Sequence, residues 1–403
     1  MSRIEEMIRE LCPNGVEYKK LGDILNYEHP TKYIVKSTEY DNSYSIPVLT
    51  AGQTFILGYT NEDEGIYEAS KDHPTIIFDD FTTSFHWVDF NFKIKSSAMK
   101  MLRPKTSNVS FRYIYYAMRC IRFEAVDHTR HWISKYSQFE VPVPPLAIQN
   151  EIVNILDKFT ELEAELEAEL EARRKQYEYY RNKLLNFNEF TPPQEGEVKW
   201  LAMSEIFEIK NGYTPSKAKP EYWTNGTIPW FRMEDIRTNG RILEDSIQHI
   251  TPEAVNGGRL FPANSIILAT TATIGEHALI IADSLANQRF TNLSIRKSLA
   301  DELDMKFFFY YMFIVDEWCK NNTNTSGFES VDMVKFKKLQ IPIPPMKEQQ
   351  RIVAILDKFE TLVNDISEGL PAEIAARRQQ YEYYRDKLLT FKRKEDAKIQ
   401  PCC

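Results

Sequence analysis

The sequence predicts an α/β (α+β) protein in which two long antiparallel helices, similar to a coiled coil, separate two globular domains in a pseudo-twofold arrangement. Three observations lead to this prediction: a duplicated segment, a helical apolar stripe in each copy, and motifs shared by the regions between the copies. The copies begin VPVPPLAIQNEIVNILDKF and IPIPPMKEQQRIVAILDKF, and both end in RRxQYEYYRxKLL. Because one apolar stripe needs a partner to cover it, we expect the two helices to pack against each other.

Each copy of the duplicated segment begins with a proline-rich stretch, Val141–Pro145 or Ile341–Pro345, that cannot be helical. Proline lacks the backbone N–H and biases the preceding residue toward an extended conformation. The apolar stripe of the first copy then continues at intervals that are mostly three or four residues: Ile148, Ile152, Ile155, Phe159, Leu162, Leu166, Tyr177, Tyr180, Leu184. About forty helical residues would form a rod of about 60 Å.

The second copy contains four extra residues. The offset between the copies is 200 residues at their start (141 to 341) and 204 near their end (173 to 377), which places the insertion around Glu368–Pro371. Gly369 and Pro371 lie in it, so this helix is predicted to be kinked or broken there.

The middle of the first helix contains a four-residue repeat, LEAE, between Leu162 and Ala172. Four residues turn by about 400°, so successive leucines drift around the helix by about 40°. The many glutamates predict a solvated spacer and not a surface that binds DNA phosphates. We interpret the tract as a ruler that sets the distance between the domains.

Length and composition limit the possible classes of protein. A chain of 403 residues suggests two or three domains. No apolar run reaches 18 residues, and the start MSRIEEMIRE does not resemble a signal peptide. The five cysteines have no CxxC spacing, so we expect reduced thiols, no structural zinc and a cytoplasmic location. The net charge of −8 is dominated by the acidic helices.

The predicted domain organisation alternates globular modules and helices. The N-terminal residues 1–15 form a short helix and a turn, and strands are expected at Tyr44–Leu49, Thr75–Phe78, Phe90–Ile94 and Ala98–Leu102 before a helix at Phe111–Arg122. A linker is expected at Asn186–Gly196. The predicted boundaries are 1–140 for the first globular domain, 141–190 for the first helix, 191–340 for the second domain, 341–391 for the second helix and 392–403 for a tail.

The second module, residues 198–340, repeats motifs of the first, residues 16–140. Ile46-Pro47 aligns with Ile228-Pro229, and Val16 aligns with Val198 at the same offset of 182 residues. The aromatic helix at 113–116 matches 307–310, and Lys135-Tyr136 matches Lys335-Phe336. The interiors of the modules differ, which is typical of two domains that recognise different targets.

The sequence contains no recognised catalytic motif. It has no GxxxxGK[ST] loop, no HExxH, no GxSxG and no NPP[FY] methyltransferase motif. The one tempting carboxylate pair is Asp79-Asp80, which we interpret as closing a strand or accepting hydrogen bonds. We therefore predict no catalytic residue, no metal ligand and no cofactor bound by this chain.

Both modules have features of nucleic-acid binding. Residues 91–135 are rich in lysine and arginine, as phosphate contact requires. Polar loops that could contact base edges occur at Gly212–Lys217, Thr270–Gly275, Asn287–Arg289 and Asn321–Gly327. The candidate DNA-binding residues are Lys93, Lys95, Lys100, Arg130, His131, Tyr213, Thr214, Ser216, Lys217, Arg232, Thr271, Asn287, Gln288 and Arg289.

The duplicated helices, the LEAE tract and the motifs GYTPSK, IPW, TTATIG and NQR resemble those of the specificity (S) subunit, HsdS, of type I restriction-modification systems. The resemblance extends over essentially the whole chain and implies two target recognition domains that each bind half of a split DNA site. It also implies that two modification (M) subunits methylate adenine with S-adenosylmethionine, and that restriction (R) subunits cut DNA with ATP and Mg²⁺.

The tyrosine-rich ends of the helices are the predicted contacts for M subunits, because a surface presented twice suggests two copies of one partner. The candidates are Tyr177, Tyr180, Arg181, Tyr381, Tyr384 and Arg385. The alternative is that these tyrosines only pack the helices together.

Two other functions stay open at this point. A pseudo-symmetric coiled-coil scaffold for protein partners would have the helices but no salt-dependent affinity for DNA. A nuclease that uses Asp79-Asp80 would cleave DNA with Mg²⁺ alone.

Overall fold

The computed structural model describes residues 3–52, 54–124, 129–187, 198–324, 329–365 and 367–394. It forms two compact units, Met1–Glu167 with Glu373–Cys403, and Ala168–Ala372. Each unit combines one globular module with parts of the long helices, and the five-part domain division drawn from the sequence stays a prediction. Residues 188–196 of the predicted linker, 325–327 of the fourth polar loop and 395–403 of the predicted tail lie outside the described residues.

The first unit begins with a short helix and a mixed module. Its helices and strands are α1 (Arg3–Leu11), β1 (Glu17–Lys20), α2 (Leu21–Ile24), β2 (Leu25–Glu28), β3 (Ile46–Leu49), β4 (Ile56–Thr60), β5 (Thr75–Asp79), β6 (Phe85–Val88), β7 (Lys93–Ile94), β8 (Met99–Pro104), α3 (Phe111–Arg119), α4 (His131–Ser134) and β9 (Glu140–Val143). The strands β3, β5, β7 and β8 lie in the predicted regions, whereas α3 ends before the predicted Arg122.

Two sheets form the first module, with the strand orders β2-β8-β5-β6 and β4-β3-β7. Side chains of β5 alternate between two apolar clusters because successive residues of a strand point to opposite faces. Ile76 and Phe78 pack in the cluster that includes the aromatic helix α3. Ile77 packs on the other face, in a cluster with Leu49 and Phe92. The larger sheet is therefore covered on both faces.

The long helix α5 (Leu146–Leu185) follows β9 without interruption for 40 residues, as the sequence predicts. The next module contains β10 (Lys199–Ala202), α6 (Met203–Ile206), β11 (Phe207–Asn211), β12 (Ile228–Phe231), α7 (Met233–Asn239), β13 (Ile242–Leu243), β14 (His249–Ile250), β15 (Ser265–Ala269), β16 (His277–Ile280), β17 (Leu285–Ala286), β18 (Phe290–Ile295), α8 (Met305–Asn321), β19 (Thr323–Asn324), β20 (Ser330–Val331), α9 (Met333–Lys338) and β21 (Gln340–Ile343).

The second module has the topology of the first. Its larger sheet has the order β11-β18-β15-β16-β13, and its smaller sheet has the order β14-β12-β17. The additional strand β13 is the main difference. The registers agree with the sequence offset of 182 residues, because Glu17 pairs with Val143 just as Lys199 pairs with Ile343. The proline-rich stretches, predicted only to be extended, thus provide β9 and β21.

The second copy of the duplicated segment forms two helices, α10 (Met346–Asn364) and α11 (Leu370–Leu388). This break confirms the interruption predicted near Gly369. The backbone comes so close there that a Cβ on Gly369 would lie 2.3 Å from the carbonyl oxygen of Thr361. Only glycine fits this turn without displacing the backbone.

In the first unit, α5 and α11 pack antiparallel. The ring of Phe159 stacks on that of Tyr384 with 5.6 Å between centroids. One turn or two further along α5, Glu163 and Glu167 both accept hydrogen bonds from Arg378, which precedes Tyr384 in the chain. The second unit repeats the aromatic contact between α5 and α10, where Tyr177 and Tyr180 stack on Phe359 at 6.1 and 5.8 Å. The predicted packing of paired helices is confirmed.

No helix in the described parts of the chain is both long enough and apolar enough to cross a membrane.

Candidate nucleic-acid interface

Each module is fixed to its long helix by a buried glutamine. The side-chain amide of Gln149 donates to the carbonyl of Pro144 at 2.7 Å, and its oxygen accepts from the backbone N–H of Ser110 at 2.8 Å. Gln349 makes the same contacts with Pro344 and Asp304 at 2.8 and 2.9 Å. Both glutamines are buried, so the helix start and the cap of α3 or α8 are held together by satisfied polar groups.

An aspartate of each LDKF tetrad adds a second connection. Asp357 accepts hydrogen bonds from the hydroxyl of Tyr310 at 2.6 Å and from the ammonium of Lys306 at 2.7 Å. Asp157 bonds to Tyr116 and Arg112 in the same way. Burial and the neighbouring carboxylate raise the pKa of Tyr116 and of Tyr310 well above the usual range, so both phenols stay protonated donors. The sequence analysis missed both connections, although each occupies the same position in the two copies.

On this rigid base, the second module brings together the three predicted loops Gly212–Lys217, Thr270–Gly275 and Asn287–Arg289, which we call the recognition loops. The backbone N–H of Gly212 donates to Phe290 and that of Tyr213 donates to Ala286, both at 2.9 Å. A Cβ on Gly212 would lie 2.3 Å from the carbonyl oxygen of Asn287, so this approach requires glycine. The side chains of Thr214 and Gln288 bond to each other across the loops.

The third recognition loop joins the second through the backbone. Thr270 donates its N–H to the carbonyl of Arg289 at 2.9 Å, and its own carbonyl accepts from Val331 at 2.9 Å. Ala272 in this loop has a left-handed backbone with φ of 69°. Such strain in a residue with a side chain is uncommon and is concentrated at functional sites.

Arg232 is also brought to this place, because the N–H of Asn287 donates to the carbonyl of Phe231 at 3.0 Å. Its guanidinium lies 3.1 Å from Glu234, and its Nε is buried without a hydrogen-bond partner. The side chains of Gln288 and Arg289 are exposed, as are those of Ser216 and Lys217. The candidates Thr214, Arg232, Thr271, Asn287, Gln288 and Arg289 therefore form one surface.

Tyr213 has a different place from the one its sequence motif indicates. Its hydroxyl accepts from the backbone of Asn256 at 2.6 Å and donates to the carbonyl of Ala254 at 3.2 Å. Its backbone carbonyl accepts from the indole of Trp230 at 3.1 Å. We therefore describe Tyr213 as a residue that positions the first recognition loop.

The first module repeats the backbone ladder of these loops. Asp80 donates its N–H to Ala98 at 2.9 Å, and its carbonyl accepts from His131 at 2.8 Å. Thr83, in the turn after β5, has a left-handed φ of 59° and corresponds to the strained turn at Ala272. The two modules thus have one common arrangement of loops with different side chains.

Three candidates of the first module are corrected by their burial. Lys93 is buried and lies 3.0 Å from Glu62, and Lys100 is buried and lies 3.0 Å from Asp80. His131 is fully buried. Side chains in these positions cannot reach phosphates, because they fill the interior and pair with carboxylates. Arg130 is exposed, and Lys95 is partly exposed beside the ring of Tyr40.

The carboxylates of Asp79 and Asp80 are occupied by structural contacts. Asp79 accepts hydrogen bonds from the backbone of Phe81 and Thr82, both at 2.9 Å. Asp80 accepts from the N–H of Trp132 at 2.7 Å in addition to its contact with Lys100. Among the described residues, no three His, Cys, Asp or Glu side chains form a group that could hold a metal ion. The geometry gives the nuclease hypothesis no support.

The candidates for partner contact divide by exposure. Tyr177 and Tyr381 are buried, so for these two the alternative of helix packing holds. The guanidinium of Arg181 stacks 4.0 Å from the ring centroid of Phe313, and Arg385 bonds to Asp386 at 2.6 Å. Tyr180 and Tyr384 are partly exposed.

The most exposed tyrosines of the helices are ones that the sequence analysis missed. Tyr179 is 61% exposed and Tyr383 is 62% exposed. Each packs edge-to-face on the next tyrosine, Tyr180 or Tyr384, with 5.3 Å between ring centroids. The repeated YEYY motif was the signal that could have identified this pair of surfaces.

Comparison with known proteins gives one consistent result. A family model described as the type I restriction modification DNA specificity domain matches residues 13–172 and 196–376. The Escherichia coli type I restriction enzyme EcoR124I/EcoR124II specificity subunit is 48% identical, over 98% of this chain and 99% of that protein. A putative type I restriction enzyme specificity subunit from Haemophilus influenzae is 32% identical, over 93% of this chain and 96% of that protein.

The crystal structure of a type I restriction-modification system S subunit from M. genitalium has the same fold. Its TM-score is 0.56 at 14% sequence identity, and the match covers 93% of this chain and 96% of that chain.

Proposed function

This chain belongs to the family of type I restriction-modification specificity subunits, and we propose that each of its modules recognises one half of a split double-stranded DNA site. The observation that carries the proposal is the common loop arrangement of the modules. In each, one backbone ladder joins the loop after the central strand, β5 or β15, to the loop before the neighbouring strand, β8 or β18. The same scaffold with different side chains suits two different half-sites.

In the second module, the exposed Arg289 and Gln288 are the residues we assign to base edges. Arginine fits guanine and glutamine fits adenine through paired hydrogen bonds in the major groove. Arg232, Thr271 and Asn287 support these contacts at the same surface. Lys217 and Ser216 lie further along the first recognition loop, where a lysine can contact the DNA backbone. In the first module, Lys95 and Arg130 are the remaining cationic candidates.

We assign no catalysis to the chain itself. The carboxylates that could have served a nuclease are engaged by Lys100 and by backbone N–H groups. Adenine methylation from S-adenosylmethionine and ATP- and Mg²⁺-dependent cleavage would be performed by M and R subunits that assemble on this chain. DNA recognition is its own contribution to that assembly.

Two M subunits would dock on the duplicated helical surface. The exposed pairs Tyr179/Tyr180 and Tyr383/Tyr384 present the same geometry at corresponding places in the two copies. Repeated patches bind repeated partners, and exposed tyrosines are frequent anchors of protein interfaces. R subunits would then join the complex of specificity and modification subunits.

The length of α5 would set the distance between the half-sites. This helix runs without a break from the end of the first module toward the second, whereas the other copy is interrupted between Asp365 and Gly369. A continuous helix rises by about 1.5 Å per residue, so its length is a fixed multiple of the residue count. The LEAE tract contributes to that length and does not contact the recognition loops.

The proposal is tested by sequencing methylated adenines in cells that express this chain with an adenine methyltransferase subunit of the same family. The expected product is one bipartite motif with a fixed spacer, and cells without this chain serve as the control. Replacing residues 198–340 by those of a relative should change one half-site only. A single uninterrupted motif, or a change in both halves, would refute the assignment of one half-site to each module.

The scaffold alternative is distinguished by direct binding. Duplex DNA with the sequenced motif should bind the complex more tightly than a scrambled duplex, and its affinity should fall as salt increases. A scaffold without DNA recognition would bind the two duplexes equally.

A further inference from the structure

The last short helix of each module exposes a large aliphatic side chain to solvent. Ile133 in α4 is 62% exposed, and Val334 in α9 is 68% exposed. Their neighbours in these helices are buried in the ordinary way, as Trp132 and Phe336 show. Single exposed aliphatic residues are normal on a protein surface. The feature that requires an explanation is that both modules expose one in the same segment.

This segment is joined directly to the recognition loops. In the second module, Thr270 receives the N–H of Val331 and gives its own N–H to Arg289. In the first module, Asp80 receives the N–H of His131 and gives its own to Ala98. Val334 comes three residues after its ladder position and Ile133 two residues after, so they occupy neighbouring and not identical places. Each therefore lies a few residues from the loops that are assigned to DNA.

The charges around these side chains favour DNA as the surface that covers them. Lys335, Lys337 and Lys338 are exposed in α9 beside Val334. The nearest carboxylate in the chain, that of Asp332, is occupied by the backbone N–H groups of Val334 and Lys335 at 3.0 and 3.2 Å. In the first module, Arg130 and Lys135 flank α4. An aliphatic side chain among cations suits a polyanion that also presents apolar groups in its groove.

We propose that Val334 and Ile133 contact the 5-methyl groups of thymines in the two half-sites. The inference rests on the proposed DNA recognition and specifies part of its chemistry. A saturated side chain has no donor or acceptor, and the thymine methyl is the apolar group that a base edge offers in the major groove. These two residues thus add apolar recognition of thymine to the hydrogen bonds of the polar loops.

The test uses the complete complex with its M subunits and the sequenced target duplex. Binding is measured for that duplex and for one in which every thymine is replaced by deoxyuridine, which lacks the methyl group. The variant Val334→Thr keeps the branched shape and replaces one methyl by a hydroxyl. The variant Ile247→Thr, at an aliphatic residue of the same module that is 51% exposed, is the matched control.

The wild-type complex should lose affinity for the deoxyuridine duplex by about fourfold per methyl contact. Val334→Thr should lose a similar factor on the thymine duplex and little more on the deoxyuridine duplex, because the two changes remove one contact. Ile133→Thr should behave in the same way for the other half-site, and Val334→Leu should retain the difference between the two duplexes.

Equal binding of the two duplexes by the wild type would overturn the inference. So would a loss for Val334→Thr of the same size on thymine, deoxyuridine and scrambled duplexes, since that pattern indicates contact with the sugar-phosphate backbone. Discrimination between target and scrambled duplex by the wild type tests the proposed function separately. That discrimination can persist while the methyl contact fails.

Discussion

The hydroxyl of Tyr310 donates a 2.6 Å hydrogen bond to the carboxylate of Asp357, and the same pair recurs as Tyr116 and Asp157. The aspartates belong to the repeated LDKF tetrads, and the tyrosines belong to the last long helix of each module, α3 or α8. The pair therefore connects a recognition module to its helix in each unit.

Tyr310→Phe should weaken this connection. The change keeps the buried ring but removes the donor, leaving Asp357 with Lys306 alone, and hydrogen bonds to charged groups contribute about 1.5–3 kcal/mol. We expect a lower midpoint of urea unfolding for Tyr310→Phe and a similar shift for Tyr116→Phe. Tyr383→Phe, at an exposed tyrosine, is the control. If all three variants unfold like the wild type, the connection does not stabilise the protein.

The buried pair Lys100–Asp80 should be costly to break and inexpensive to replace. Lys100→Met alone leaves Asp80 buried without its cation, and loss of one partner of a buried pair costs about 3–5 kcal/mol. The double variant Asp80→Asn/Lys100→Met removes both charges and should recover much of this stability. The second module has a neutral pair here, Thr270 and Thr291, with 2.9 Å between hydroxyls.

The measurement for the buried pair is a double-mutant cycle of unfolding free energies. Additive effects of the two single changes would show that the ammonium and the carboxylate do not interact across their 3.0 Å separation.

Arg289→Ala and Lys217→Ala should differ in the sequence dependence of their effects. Loss of a contact to a base edge costs about 1–3 kcal/mol and relaxes specificity at one position. Loss of a phosphate contact weakens binding to every sequence alike. Binding to the target duplex, its single-base variants and a scrambled duplex separates the two cases. A uniform loss for Arg289→Ala would reassign this residue to the DNA backbone.

Tyr179→Ala and Tyr383→Ala should each weaken the docking of one M subunit. Truncation of an interface anchor typically costs about 2 kcal/mol or more. Native mass measurement at limiting concentrations should show complexes with one M subunit for either single variant and mostly free chain for the double variant. Tyr44→Ala, at a partly exposed tyrosine of the first module, is the control. Two M subunits bound to the double variant under these conditions would place the docking surface elsewhere.

Insertion of one LEAE unit after Glu165 should lengthen the spacer of the DNA target. The insertion adds about 6 Å to α5 and rotates the far end by about 40°. One base pair rises by about 3.4 Å, so the spacer should grow by one or two base pairs. The smaller number is favoured because one added pair rotates the DNA by about 34°, close to the drift of the helix.

The break between Asp365 and Gly369 would absorb the mismatch in the second copy, and both half-sites should stay the same because no recognition loop is altered. Sequencing of methylated adenines reports the spacer and the half-sites together. Glu165→Gln, which changes the tract without changing its length, should leave the motif intact. An unchanged spacer after the insertion would eliminate the ruler.

The position of the tyrosines in the helix shows how far a pattern can be interpreted. Tyr177 lies on the predicted apolar stripe, and the structure buries it against Phe359. Tyr179 is two residues away, which is about 200° around a helix, and it is exposed. The stripe therefore contained the correct answer for Tyr177, although the motif also suggested a partner contact. Periodicity specifies the buried face, whereas a list of residue types does not.

The sequence by itself determined the duplication, the length of α5, the interruption near Gly369 and the strand offsets between the modules. These depend on local rules, such as the period of a helix and the missing N–H of proline, or on direct comparison of two segments. Tertiary structure alone decided that Lys93 and Lys100 are interior ion pairs with Glu62 and Asp80. It also decided that Gln149 and Asp157 connect module to helix. A charge or an amide has no periodic signature, and its partner is chosen by the fold, so its role becomes visible only when distant segments are brought within hydrogen-bond distance.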